Sequence, residues 1–301
     1  MTTEPGRPAQ DGRVASAALS AVRPRRARVI PGFGLTLGYT MTYLGIVVMI
    51  PIAAVFLKAS TLTWPQFWSA VSSPRAISAY KVSFGCSLAA ALINAVFGLI
   101  VAWVIVRYRF WGRSVVDALI DLPFALPTAV AGIALYALYL PEGWLGRILP
   151  PGIKVFATPL GVTVALTFIG LPFVVRMVEP VLRDLPADVE EAAASLGARR
   201  WHTLRMVILP ELWPALLAGF ALAFARGLGE FGSVIFISRQ RPMETEIIPD
   251  IIREQVASHY IGARNLAEAT AIAVVMLVVS FVLLLALNLL QRRLGRRTVR
   301  V

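Results

Sequence analysis

Charged residues are scarce in this chain of 301 amino acids. They make up 15% of the sequence, against roughly 25% in a soluble globular domain. Apolar residues make up 57%, which exceeds the roughly 45–50% that is usual for a soluble domain. Because so few polar side chains are available to cover a surface in water, the composition predicts an integral membrane protein.

Cysteine and histidine are almost absent, which excludes several kinds of site. The one cysteine, Cys86, lies in an apolar run and has no partner for a disulfide within the chain. The two histidines, His202 and His259, lie far apart in the sequence and fall on opposite sides of the predicted membrane. The sequence therefore predicts neither a metal site nor a Ser-His-Asp catalytic site.

Acidic residues are also few, so the formal net charge is +12. A strongly basic chain can bind nucleic acid, but here the basic residues cluster beside apolar runs. They also lack the interleaved aromatic residues that stack on bases. We therefore expect membrane lipid, and no nucleic acid, as the partner of these charges.

Long apolar runs are the dominant feature of the sequence. A hydrocarbon core of about 30 Å needs about 20 apolar residues per helix, and helices satisfy their own backbone hydrogen bonds in lipid. This rule predicts an all-α integral membrane protein with six transmembrane helices. The predicted spans are residues 33–57, 82–106, 117–140, 159–180, 212–237 and 266–290.

The basic residues predict which side each loop occupies. Arginines concentrate in the first 30 residues, in the loops after the second and fourth spans, and in the C-terminal tail. The positive-inside rule then predicts that both termini are cytoplasmic. Arg176 and Glu179, near the end of the fourth span, are interpreted as interfacial charges that reach towards water. The predicted segments are a flexible basic cytoplasmic tail at 1–30, the first span with an outer loop at 31–75, a transmembrane core at 76–291 and a basic cytoplasmic tail at 292–301.

A polar segment between the fourth and fifth spans predicts a small helical hairpin over Leu185–Pro210. Its first helix has Pro186 near its start and acidic residues in the first turn, where the helix dipole favours them. Gly197 fits a left-handed C-cap. A second helix is predicted over residues 198–208, and Pro210 either ends that helix or begins the next span. The segment fits a groove on a partner protein, or else it is an amphipathic loop at the membrane surface.

The third span contains two prolines, Pro123 and Pro127. Each proline removes a backbone donor and kinks or breaks a helix. Broken helices at membrane depth usually line cavities or are buried in protein. We therefore consider both a gating helix that lines a pathway and a kink that is merely tolerated.

Polar residues well inside a predicted span are candidates for a pathway or gating role, and we single out Arg226, Glu230 and Asn94. Arg226 and Glu230 are four residues apart in the fifth span and would share one helix face. Ionisable groups at this depth each cost at least about 2.5–3.5 kcal/mol, so they must pair or face a polar cavity. We predict a structural or gating pair rather than a direct oxyanion site, because Glu230 would repel an anion. Asn94, in the second span, is predicted to form an interhelical hydrogen bond rather than to bind a ligand.

One stretch resembles a known family. Glu191-Ala192-Ala193, three residues, Gly197, nine residues and then Val207-Ile208-Leu209-Pro210 resemble the EAA motif of bacterial ABC-importer permeases. The departure is Val207, where that motif has isoleucine. In that family the hairpin is the coupling helix that docks on a cytoplasmic ATPase subunit. The resemblance implies that the coupling positions are Glu191, Ala192, Ala193, Gly197, Leu209 and Pro210.

The resemblance extends from about Pro31 to Arg297. Within the family, several stretches are similar to the sulfate/thiosulfate permeases, while molybdate permeases share the general pattern. These stretches are Ala79–Val82, Asn94–Leu99, Arg107–Phe110, Asp117–Leu119, Asp121–Gly132, Pro172–Arg176 and Gly229–Gly232. The implied function is alternating-access transport of sulfate or thiosulfate across the bacterial cytoplasmic (inner) membrane.

The resemblance also implies a set of partners. They are a separate ATPase, a related second permease, and a sulfate- or thiosulfate-binding protein outside the membrane. The sequence has no Gly-x4-Gly-Lys-Ser/Thr phosphate loop, so we expect this chain to be non-catalytic. Magnesium and ATP would be held by the ATPase, and we expect no cofactor on this chain.

Two function classes compete with the ABC permease. An ion-coupled secondary transporter would work alone and would usually carry internal repeats, and we identify no clear repeat. A membrane-embedded enzyme would need a converging set of catalytic groups, for which Arg226 and Glu230 alone are insufficient.

Overall fold

The computed structural model of the protein describes residues 33–150, 152–257 and 263–298. This part of the chain is helical and contains no β-strand, as predicted. The predicted tail at 1–30 and His259 lie outside the described residues. In the predicted tail at 292–301, the structure describes helical backbone as far as Thr298. The predicted segment boundaries remain a prediction.

The described residues form thirteen helices and a short π-helical turn, Leu204–Ile208. The chain divides into two units, 1–53 and 54–301, and α1 begins in the first unit. In chain order the helices are α1 (Phe33–Ala59), α2 (Trp64–Val71), α3 (Pro74–Arg107), α4 (Arg113–Ala125), α5 (Thr128–Tyr139), α6 (Trp144–Ile148), α7 (Pro159–Asp184), α8 (Ala187–Ser195), α9 (Arg200–Thr203), α10 (Leu209–Leu228), α11 (Gly232–Ser238), α12 (Ile248–Ala257) and α13 (Ala263–Thr298).

Five stretches of the described chain are long and apolar enough to cross a membrane, and a bent pair makes a sixth. The five are Phe33–Ala59, Pro74–Arg107, Pro159–Asp184, Arg200–Leu228 and Asn265–Gln291. They correspond to five of the six predicted spans. The second span begins eight residues earlier than predicted, because Ser73 caps it: its hydroxyl accepts a hydrogen bond from the amide of Ala76.

The third span, predicted over 117–140 with prolines that kink or break it, is broken in the structure. The chain bends by 113° between the helical segments Arg113–Ala125 and Thr128–Ile148. The break lies at Leu126 and Pro127, both in extended backbone conformations. A residue before proline avoids the α conformation, so the chain turns there. Pro123 lies inside α4 near its end and does not interrupt it.

The fifth span differs from the continuous helix that was predicted over 212–237. It ends at Leu228, and after three residues the chain resumes as α11. Gly229 adopts a conformation outside the α-helical region as the C-cap of α10. A broken span at this position was not predicted from the sequence, since the chain is apolar on both sides of the break.

The core of the bundle is built from α3, α7 and α10, which pack closely against one another. Val174 of α7 is fully buried between two glycines. A Cβ on Gly98 of α3 would lie 2.8 Å from Val174 Cγ1, and a Cβ on Gly219 of α10 would lie 2.8 Å from Val174 Cα. Small residues allow helices to approach this closely where lipid provides little driving force for association.

Candidate functional site: the hairpin and the two broken spans

The predicted hairpin is present, and its first helix is α8. It carries acidic residues in the first turn, as expected for a helix N-terminus. Gly197 follows its end at φ 81°. The amide of Ala198 donates to the carbonyl of Ala193, and the amide of Gly197 donates to that of Ala194. These are the two hydrogen bonds of a Schellman motif, so the predicted left-handed C-cap at Gly197 is confirmed.

The second limb of the hairpin differs from the separate helix predicted over 198–208. Helical backbone continues from Arg200 to Leu228, so this limb is the beginning of the fifth span. The π turn lies just before Pro210, and within it the amide of Leu209 donates to the carbonyl of Leu204. Proline has no amide hydrogen and its ring crowds the carbonyl four residues back, which here belongs to Met206. The wider π turn absorbs that misfit, and Pro210 therefore begins α10 without ending the helix.

The predicted coupling positions lie mostly on the surface of the hairpin. Glu191, Ala192, Gly197 and Pro210 are exposed, whereas Ala193 and Leu209 are half-buried. Large apolar side chains are exposed beside them, namely Leu196, Trp201 and Met206. A contiguous apolar surface of this kind is typical of a protein-binding site.

A cavity of about 630 Å³ lies between the hairpin and the end of α3. Two tryptophans, Trp103 and Trp201, and the carboxylates of Glu190 and Glu191 line it. The EAA glutamate therefore faces an open, partly aromatic space rather than a packed helix surface.

Arg107 connects the hairpin to the end of α3. Its guanidinium lies 2.5 Å from the carboxylate of Glu190 and also over the ring of Trp103, 5.8 Å from its centroid. This ion pair was not predicted, because a contact between distant segments leaves no local pattern in the sequence. This contact fixes α8 to a second span, in addition to the span that continues from the hairpin.

Arg176 joins α7 to α4 through several carboxylates. Its guanidinium donates to Asp121 at 2.6 and 2.9 Å, to Asp117 at 2.8 Å and to Glu179 at 2.5 Å. Arg183 also pairs with Glu179, which is buried. Glu179 is therefore held inside a network of ion pairs instead of reaching towards water, while the interfacial position of Arg176 and Glu179 stays a prediction. The i, i+4 spacing of Asp117 and Asp121 is the sequence signal that could have indicated this network.

Arg226 and Glu230 form the predicted ion pair, with 2.7 Å between Nη1 and Oε2. Their predicted location inside one helix is wrong. Arg226 lies in the last turn of α10, and Glu230 lies in the break. Glu230 is buried, and its other carboxylate oxygen accepts a hydrogen bond of 2.9 Å from the amide of Ser233. Glu230 thus joins the end of α10 to the beginning of α11.

The two broken spans meet where α5 packs against α11. A Cβ on Gly132 would lie 2.7 Å from the carbonyl oxygen of Ser233, and a Cβ on Gly232 would lie 2.3 Å from the hydroxyl oxygen of Thr128. Pro127 is the residue just before α5, so the break it causes lies beside this contact. Both interruptions therefore lie close together in the structure.

Asn94 does not form the interhelical hydrogen bond that we predicted. Its side chain is fully buried, and neither its amide nitrogen nor its oxygen has a partner in the described part of the chain. It faces α7, because a Cβ on Gly170 would lie 2.4 Å from Asn94 Nδ2. The close approach of the two helices leaves the amide against glycine backbone and apolar carbon instead of a polar side chain.

Comparisons with known proteins agree with this architecture. A family model described as the binding-protein-dependent transport system inner membrane component matches residues 94–300. The sulfate transport system permease protein CysT of Salmonella typhimurium is 46% identical over 273 residues, covering 90% of this chain and 97% of the relative. The protein of the same name from Synechocystis is 47% identical over 259 residues, covering 86% of this chain and 88% of the relative.

Solved structures share the fold. The crystal structure of a bacterial ABC transporter involved in the import of alginate superposes with a TM-score of 0.71 at 19% identity. That match covers 86% of this chain and 94% of the other. An inward-facing structure of the MetNI methionine ABC transporter gives a TM-score of 0.56 at 18% identity, covering 77% and 99% of the two chains. At these identities the likeness concerns the fold alone.

Proposed function

The chain belongs to the family of binding-protein-dependent transport system inner membrane components, and from this premise we propose that it is the permease subunit of an ATP-driven importer of sulfate or thiosulfate. It is a multi-pass inner membrane protein. The observation that carries the proposal is the 46–47% identity to two sulfate permeases over most of their length.

The hairpin is the coupling helix in this proposal. Its exposed face, with Glu191, Ala192 and Gly197, docks on a separate ATPase subunit, which binds magnesium and ATP and performs hydrolysis. The exposed Leu196 and Trp201 supply apolar area for that contact. The sharp Schellman turn presents the EAA residues at the tip of a rigid hairpin.

Movement of the hairpin reaches the membrane by two routes. The continuous helix from Arg200 to Leu228 carries it to the break at Gly229. The Arg107–Glu190 pair carries it to α3. Alternating access then follows from reorientation of these helices around a pathway formed with a second, related permease.

The two interruptions are the best candidates for a gate. Pro127 and the segment Gly229–Phe231 remove helical hydrogen bonds at neighbouring positions, so the backbone turns more easily there than in an intact helix. The Arg226–Glu230 pair holds the second interruption in the observed arrangement. We propose that α4 and α3, the helices that carry Pro123 and Asn94, form part of the walls of the pathway.

The orientation follows from the same proposal. With the hairpin in the cytoplasm, both termini are cytoplasmic, and the loops at the opposite ends of α3 and α7 face outward. A periplasmic or extracellular binding protein would deliver the oxyanion to that outer face.

Uptake in cells tests the substrate. A strain without its sulfate permease is complemented with this gene and its neighbouring transporter genes, and uptake of labelled sulfate, thiosulfate and molybdate is measured. Uptake of sulfate or thiosulfate is expected, whereas uptake of molybdate alone would show that the substrate is a different oxyanion.

Purification tests the transporter class. The membrane complex is expected to contain an ATPase subunit, and uptake should stop when that subunit's ATP site is inactivated. Uptake by this chain alone, driven by an ion gradient, would instead indicate a secondary transporter.

A further inference from the structure

A second cavity, of about 370 Å³, lies at the end of the bundle opposite the hairpin. Its walls come from the segment between α6 and α7, from the end of α5 and from the loop after α11. Both α5 and α11, the short helices that follow the two breaks, end at this cavity. These helices therefore connect the cavity to the crossing of the broken spans, which lies at their other ends.

Two cations line the cavity above an apolar floor. Lys154 and Arg241 are the charged residues in its wall, and Leu149, Ile153 and Val155 contribute to the floor. The Lys154 ammonium forms no salt bridge within the described chain, and Arg241 has one contact of 3.3 Å with exposed Glu244. The charge of this space is therefore positive and only weakly compensated.

The backbone that carries these cations is held in an unusual conformation. Ala157, Arg239 and Gln240 have φ values of 57°, 56° and 49°, which residues with a Cβ seldom adopt. Such strain persists where surrounding contacts fix it, and it is often found at binding sites. Here the amide of Ala157 donates to the carbonyl of Ile237, which joins the two walls of the cavity.

Buried hydroxyls fix the loop that carries Arg241. The hydroxyl of Thr245 donates to the carbonyl of Ser238 and accepts from the amide of Arg241. On the other wall, the hydroxyl of Thr158 donates to the carbonyl of Lys154. Both cations thus extend from fixed backbone rather than from free loops.

The dipoles of the helices that end at this cavity do not by themselves account for Lys154 and Arg241. A basic residue just after a helix complements its dipole, which explains Arg239 after α11. Lys154, however, follows no helix directly, and it lines the same cavity as Arg241. A cavity lined by two cations suits a small divalent anion, because two positive charges balance it.

We propose that this cavity receives the transported oxyanion at the outer face, before it enters the pathway at the broken spans. The assignment rests on the proposed function, which supplies the substrate class and the orientation. Lys154 and Arg241 bind the anion, and the apolar floor limits the water that it retains.

A cysteine reporter in the full transporter tests the site. Ile153 lines the cavity and is 49% exposed, so Ile153→Cys places a thiol beside Lys154 without removing either cation. The complex with its ATPase is reconstituted in nanodiscs of zwitterionic lipid without the binding protein. Labelling by an anionic methanethiosulfonate and by a neutral one is followed with and without sulfate. The unsubstituted chain, whose Cys86 is buried, gives the background.

Sulfate is expected to slow labelling in a saturable manner, while chloride at equal ionic strength does not. Lys154→Gln and Arg241→Gln should each remove this protection and lower the ratio of anionic to neutral labelling rates by about fivefold, as the loss of one nearby charge implies. Arg147→Gln, which removes a cation near the cavity but outside its lining, should leave both unchanged.

Several results overturn the proposal, and each is distinct from failure of the proposed function. Absence of protection by sulfate in a complex that still supports sulfate uptake excludes the site and leaves the permease assignment intact. When anionic lipid is included in the nanodiscs, protection of the thiol without sulfate shows that the two cations bind lipid headgroups. When the binding protein is added in a further sample, protection of the thiol that is equal with and without sulfate shows that this surface is a docking site for that protein. By contrast, if molybdate protects the thiol and the transporter takes up molybdate but no sulfate, the site stands and only the proposed substrate is replaced.

Discussion

The guanidinium of Arg107 lies 2.5 Å from the carboxylate of Glu190, so the end of α3 is tied to the helix that carries the EAA residues. Both side chains are partly exposed, with 22% and 35% of their surface accessible. The pair connects the proposed coupling helix to a span that is remote from it in sequence. Its loss should therefore affect the transmission of movement more than the stability of the bundle.

Reversal of charge at this pair should uncouple transport from ATP hydrolysis. Arg107→Glu should lower uptake by about fivefold, which corresponds to about 1 kcal/mol for a partly exposed ion pair. ATP hydrolysis by the complex should fall less. The double variant Arg107→Glu/Glu190→Arg should recover uptake. Arg109→Glu, in the adjacent loop, is the matched control, and an equal loss of uptake there would mean that charge in this region matters but the pair does not.

The turn of the hairpin requires glycine. Gly197 has a φ of 81°, and a left-handed conformation costs roughly 1–2 kcal/mol for a residue with a Cβ. Gly197→Val should therefore distort the hairpin and reduce the amount of ATPase that copurifies with the chain. Gly197→Asn should lose less, because asparagine tolerates this conformation. Equal retention of the ATPase by both variants would contradict a docking role for this turn.

The crossing of the two broken spans should tolerate no added methyl group. A Cβ on Gly132 would lie 2.7 Å from a backbone oxygen, so Gly132→Ala must displace α11 from α5. Overpacking of this kind costs roughly 1–3 kcal/mol, and the thermal unfolding midpoint in detergent should fall. Gly85→Ala in α3 is the control, because its Cβ would meet nothing within 4 Å. A Gly132→Ala variant as stable as Gly85→Ala would show that the two short helices separate freely.

The Arg226–Glu230 pair should show strong non-additivity. Arg226→Met leaves a buried carboxylate without its cation, and removal of one partner of a buried pair costs about 3–5 kcal/mol, less here because Arg226 is 36% exposed. Glu230→Gln removes the charge while its amide oxygen still accepts from Ser233. The double variant Arg226→Met/Glu230→Gln should therefore be more stable than Arg226→Met alone.

Thermal unfolding of the four proteins measures this coupling, and uptake assays reveal whether the pair also gates. Normal stability together with normal uptake in Arg226→Met would refute both roles for the pair.

The predictable parts of this protein are those encoded over short distances in the sequence. Apolar runs identified the spans, because a helix must present 20 or so apolar residues to lipid wherever it crosses. Gly197 and the acidic first turn identified the hairpin, because caps act on neighbouring residues. Pro127 indicated the break in the third span for the same reason.

The unpredicted parts depend on contacts between segments that are distant in sequence. The break after Leu228 has an apolar pattern on both sides, and it exists because Glu230 caps α11 and Gly232 approaches Thr128. The Arg176 network joins helices that only the fold brings together. Asn94 was expected to find a polar partner, but the close packing of α3 and α7 leaves it against glycine and apolar carbon instead.

The π turn at Leu204–Ile208 sets the angular phase between the hairpin and the span that follows it. Each residue of an α-helix turns the chain by about 100°, so a single extra or missing residue would rotate the exposed EAA face far around the axis of α10. The wide turn, Pro210 and the hairpin therefore form one unit of fixed length. A hairpin exchanged between permeases of this family would keep its direction only if the exchanged segment extended through Pro210.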